Sequence, residues 1–197
     1  MAGTCSFTFD DGPDPIWTPR ILAALDRCRV RATFFVDTGR VAHAPAIVDA
    51  IIAEGHEVGL HCHRHVRHTE RSVDQLDRDT RTALFTLARV GVVPTRWRTP
   101  WGVCTTATST VAARHGLQLV GWTIDTHDWR GDDAVAMLQA AAEELTSRSV
   151  VLMHDALGPG ATRAGCSATV ELIAPLASAA RERGLRVVTL SAGAAGQ

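Results

Sequence analysis

The sequence predicts an α/β protein, an irregular (β/α) barrel of about seven units related to the TIM barrel. Three observations predict it. Strand-like and helical runs alternate along the whole chain, which implies a mostly parallel sheet. About seven such units are more than a small open sheet needs. Acids, histidines and an arginine recur just after the strand ends, and parallel β/α folds gather their chemistry on that face.

The elements justify this in order. Residues 4–9 alternate like a strand until Gly12-Pro13 stops them. A helix over 15–28, a strand over 32–36 and a helix from Pro45 to Glu54, ended by Gly55, come next. A short strand at 57–60 precedes a long helix over 73–89. Ser72 and Gln75 form a capping-box pair for that helix, and Val73, Leu76, Ala83, Leu84 and Leu87 form its core stripe. A short strand at 96–98, a helix at 105–115, a strand at 118–124 and a helix at 133–146 follow. The chain closes with strand 149–153, helix 168–183 and strand 186–190.

Composition narrows the function. With 197 residues and 46% hydrophobic content, residues 1–197 read as one domain around one core. A net charge of −1 offers nothing to nucleic acid or an anionic membrane, and no apolar run approaches the ~20 residues of a membrane span. Cys5, Cys28, Cys62, Cys104 and Cys166 are odd in number and scattered, with no Cys-x-x-Cys pair. With no signal peptide at the N-terminus, the expectation is a cytoplasmic protein.

The chemistry gathers at strand ends. Asp10 and Asp11 follow the first strand, His61 the third, Arg98 the fourth, Asp125 and Asp128 the strand ending at Ile124, and His154 the run 150–153. Adjacent carboxylates repel unless something uses them. His61-Cys62-His63-Arg64-His65 offers histidines at i, i+2 and i+4. If the segment opens a helix, His61 and His65 share one face and can share an ion, with Asp10 or Asp11 as the oxygen ligand. If it is extended, His63 fits instead. The plain alternative is a histidine-rich polar loop.

These segments resemble the NodB-type polysaccharide deacetylases, carbohydrate esterase family four, through five motifs in order: 8–13, 61–65, 98–102, 125–129 and 152–154. The resemblance implies that Asp11, His61 and His65 hold one divalent metal ion, zinc first, with cobalt or another divalent ion as the alternative. Asp10 is then the general base for the attacking water, held by Arg98. His154 is the acid that protonates the departing amine, oriented by Asp128, with Asp125 as the other candidate. Trp101 supplies a backbone N–H to the oxyanion, and Trp129 and Leu152 wall the acetyl pocket. An amide needs a Lewis acid, an activated water and a proton donor together.

Two positions depart from the family pattern. Cys62 stands where the family has Ser or Thr and leaves room for an exposed thiol near the metal, and Trp101 stands where Tyr is frequent. Trp17, Trp97 and Trp122 read as packing residues. His43, His56 and His115 read as surface histidines, whereas His63, His68 and His127 lie near enough to touch substrate. The expected activity is removal of an N-acetyl or similar small acyl group from a small amino sugar or related metabolite, or from an oligosaccharide. The alternatives are an O-acetyl esterase and a non-catalytic sugar-binding domain.

Overall fold

In a computed structural model that describes residues 3–195, eight parallel strands form one curled sheet. The strands are β1 (Gly3–Asp10), β2 (Thr33–Asp37), β3 (Glu57–Cys62), β4 (Arg96–Trp97), β5 (Gln118–Leu119), β6 (Ile124–Asp125), β7 (Val150–His154) and β8 (Leu185–Val187). Their order is β5-β4-β3-β2-β1-β7-β6, with β8 pairing the start of β1. The helices are α1 (Trp17–Cys28), α2 (Thr38–Val41), α3 (Pro45–Ala53), α4 (Val73–Ala88), α5 (Thr106–Arg114), α6 (Ala134–Glu144), α7 (Ser167–Glu182) and α8 (Leu190–Ala195). No described helix is long and apolar enough to cross a membrane.

β1 is the hub, and its alternation serves two cores. Phe7 and Phe9 join the main hydrophobic core, where Phe9 stacks on Phe34 with ring centroids 5.0 Å apart. Thr8 and Asp10 alternate with them and meet Arg98, which is fully buried. The capping box at Ser72 and Gln75 starts α4 as the sequence predicts, and Leu76, Ala83 and Leu87 are buried along it.

Two expectations need correction, and one open alternative is decided. The strand expected over 118–124 is two short pieces on opposite edges of the sheet: Gln118–Leu119 pairs with β4, and Ile124–Asp125 pairs with β7. The chain crosses the unpaired gap between those edges through Gly121 and Trp122. An apolar run cannot reveal that it changes partners midway. Likewise, the last strand stops at Val187, and a helix, α8, starts at Leu190 where the strand was expected to end. His61 does not open a helix; β3 runs on through Cys62 and the chain then bends.

Candidate active site

Parallel register brings the strand ends together. Asp10 lies beside His154 across β1 and β7, and the Arg98 N–H donates to the Leu60 carbonyl, which sets Arg98 next to His61. The resulting cleft holds about 420 Å³ and is lined by Asp10, Asp11, His61, His65, Trp101 and His154 among others. Trp129, Leu152 and Asp125 line it too.

Asp11, His61 and His65 each point one ligand atom at a common centre, all within 4.8 Å of one another. Both Nε2 atoms are 3.3 Å from Asp11 Oδ1. His61 Nδ1 is 2.7 Å from the Arg98 carbonyl, which can only accept, so Nδ1 carries the proton and Nε2 presents its lone pair. A lone pair facing a carboxylate oxygen in a buried site calls for a cation between them, and the donor set of two imidazoles and one carboxylate suits a divalent ion. Burial alone would raise the Asp11 carboxyl, but His61 and His65 hold it well below the usual carboxylate range. Burial pulls His61 down, but with no ion bound Asp11 and Asp10 more than reverse that and raise it, and a bound ion would take the place of that Nε2 proton.

His65 reaches this centre from the bend after β3. His63 turns away, with Nδ1 3.0 Å from Thr38 Oγ1. Cys62 is buried, not an exposed thiol, and burial followed by the surrounding acids pushes it well above its ordinary value.

Asp10 accepts from Arg98 Nη1 at 2.9 Å; the same nitrogen donates to Thr8 Oγ1, and Nη2 donates to the Gly121 carbonyl. The guanidinium lies 4.3 Å from the centre of the Phe35 ring. These contacts hold a cation where a barrel would otherwise carry aliphatic side chains. His154 Nδ1 is 2.7 Å from Asp128 Oδ1, whereas Asp125 is engaged by His127. Burial pulls His154 down, but the Asp128 carboxylate outweighs it and sets the imidazole at about 9.

Several residues at the site escaped sequence reasoning. Arg163 donates to Asp128 Oδ2 and to the His154 and Ala156 carbonyls, yet in sequence it is one arginine in a glycine-rich loop. Asp155 accepts from the Gly12 N–H and the Thr18 hydroxyl, bracing the Asp10–Asp11 turn. Its adjacency to His154 at a strand end was the available signal. Burial, with the charge of Asp11 adding to it, pushes Asp155 up to about 7. Trp122, expected as packing, lines the cleft and sits where any Cβ on Gly102 would strike it, 2.5 Å away.

Two histidines move the other way. His56 is buried rather than on the surface, with Nδ1 accepting from the Ala32 N–H. His68 is buried against Trp97 and Thr108, away from substrate. Of the five non-glycine residues with left-handed backbone among the described residues, Asp11 (φ 76°) and Trp101 (53°) line the cleft, and His127 (56°) pairs with the lining Asp125.

Residues 2–120 match the family model described as polysaccharide deacetylase. The chain belongs to that family. Its members include the NodB-type enzymes of carbohydrate esterase family four. A chitooligosaccharide deacetylase of Bradyrhizobium sp. (strain ANU 289) is 32% identical over 95% of this chain and 90% of its own length. A peptidoglycan-N-acetylglucosamine deacetylase of Bacillus cereus is 31% identical over 94% of this chain and 85% of its own. Among solved structures, a family 4 carbohydrate esterase from Streptomyces lividans, in complex with acetate, superposes with a TM-score of 0.85 at 30% identity. That match covers 94% of this chain and 91% of the other. The polysaccharide deacetylase fold accounts for the parallel, incompletely closed barrel described above.

Proposed function

We propose that this chain is a metal-dependent hydrolase that removes the N-acetyl group from an amino sugar, alone or in a short oligosaccharide. One observation carries the reading. Three metal-ligand side chains, an acid paired with a buried arginine, and a histidine backed by a buried carboxylate all open into one cleft.

Asp11, His61 and His65 would hold a divalent ion, zinc in our reading, which would supply a Lewis acid for the amide carbonyl and lower the pKa of water. Asp10 takes the proton from the attacking water as the new C–O bond forms, and Arg98 keeps its carboxylate aimed. The Trp101 backbone N–H donates to the developing oxyanion, and Trp129 and Leu152 enclose the acetyl methyl. His154 passes its Nε2 proton to the nitrogen as the C–N bond breaks, releasing acetate and the free amine. Asp128 holds Nδ1 and so leaves Nε2 facing the cleft. A proton donor of this quality supports an amide over an O-acetyl ester, whose alkoxide leaving group needs less help.

The related deacetylases support an oligosaccharide substrate. A cleft of about 420 Å³, near the lower end of the ~300–1,000 Å³ of small-ligand sites, supports a short one. Five free cysteines suit a reducing, cytoplasmic setting. Acetate release from N-acetyl and O-acetyl sugars, before and after chelation and with zinc or cobalt restored, tests the reaction. Full activity without metal would end the reading. Specificity constants for N-acetylglucosamine and chito-oligomers of rising length test substrate size; a steep climb with length would mean a polymer groove.

A further inference from the structure

Among the described residues, the charged side chains that line the cleft are paired, with one exception. Asp10 meets Arg98, Asp11 meets His61 and His65, Asp125 meets His127, and Arg163 and His154 both meet Asp128. Arg67 lines the same cleft, is exposed, and has no acidic partner among those residues. Its guanidinium carbon lies 4.4 Å from the centre of the Trp101 ring. The same indole meets the metal-ligand histidine: His65 and Trp101 pack edge to face with ring centroids 4.2 Å apart.

The stack His65–Trp101–Arg67 therefore sets a cation one aromatic ring away from the reacting centre. Stacking on indole fixes the guanidinium plane while leaving its N–H edge to bind a ligand. A second lining tryptophan repeats the motif, with Arg130 5.5 Å from the Trp129 ring. A neutral sugar needs tryptophan faces but no unpaired guanidinium. A carboxylate or phosphate matches one by bidentate, charge-assisted hydrogen bonds.

We propose that Arg67, held on Trp101, binds an anionic substituent of the substrate, so that the preferred substrate is an N-acetylated amino sugar bearing a carboxylate or a phosphate. This rests on the deacetylase reading for its chemistry but is tested separately through binding. The carboxylate arm uses N-acetylmuramic acid, the phosphate arm N-acetylglucosamine 1-phosphate, and the neutral reference is N-acetylglucosamine.

Calorimetric affinities are measured on metal-loaded Asp10→Asn protein, which cannot turn the sugars over, with and without Arg67→Gln. At low salt, one anionic sugar should bind about tenfold more tightly than the neutral one. Arg67→Gln should bring the ratio near one, and raised salt should shrink it. Equal affinities, or no detectable binding of either anionic sugar, overturn the proposal. A preference that survives Arg67→Gln also overturns it, because the metal would then be taking the anion. Acetate release by the wild-type protein is scored apart. If no sugar is deacetylated while the Arg67-dependent preference holds, the deacetylase reading fails and the anion site stands.

Discussion

Asp128 holds His154 at two points: Oδ1 accepts from Nδ1 at 2.7 Å, and Oδ2 accepts from the His154 backbone N–H at 2.9 Å. Arg163 and Thr169 donate to the same Oδ2. Burial would raise the Asp128 carboxyl, yet His154 and Arg163 bring it below its ordinary value. Ring orientation and tautomer are thus set by a carboxylate that is itself immobilised.

This geometry predicts a pH dependence. His154 stays protonated up to about 9, so amide hydrolysis should hold to that pH and fall above it. Asp128→Asn removes the stabilising charge, and the alkaline limb of the kcat–pH profile should move to lower pH. His154→Ala should cut kcat on amides by about 100-fold or more while sparing activated esters. An alkaline limb unmoved by Asp128→Asn would remove His154 from the role of donor.

The two adjacent acids should separate cleanly. Asp10→Asn should keep metal and lose about 100-fold or more in kcat, because Asp10 faces Arg98 and not the ligand cluster. Asp11→Asn should lose the metal as well. Metal content by elemental analysis beside turnover distinguishes them, and equal metal loss in both would refute the division of labour.

Gly158 should resist any side chain. A Cβ there would stand 2.0 Å from Asp11 Oδ2. Gly158→Ala is therefore expected to push Asp11 aside and weaken metal affinity by about 10- to 100-fold with the fold retained. Competition with a metal chelator measures the affinity, and circular dichroism checks the fold.

His56 and His68 predict acid sensitivity. Burial holds both at about 4, below the ordinary 6.5, with Arg31 adding to the effect at His56 and His61 at His68. A depressed folded-state value means that the unfolded chain binds more protons between those limits. The stability is present above about 6.5 and is lost as pH falls toward 4. Denaturant unfolding across this range should show the decline, and His56→Gln should flatten it. An unchanged slope in that variant would count against the assignment.

The sequence by itself determined the alternation of strands and helices, the capping box at Ser72, and the chemical groups at the strand ends. These are local or topological properties: helical period, cap spacing, and the rule that parallel strands end on one face. Only the tertiary structure decided how those groups pair. Whether His61 meets His63 or His65 depends on where β3 ends, and β3 runs one residue past His61 because it pairs with β2. The break of 118–124 into β5 and β6 follows from an unclosed barrel, a property of the whole sheet. Arg163 and Arg67 carry no mark in sequence, because an arginine in a glycine-rich loop or near a turn is ordinary, and Asp155 carries only its place beside His154 at a strand end. Their roles come from contact with Asp128, Gly12 and Trp101, partners 35, 143 and 34 positions away, and contact over that distance is set by packing and not by local sequence.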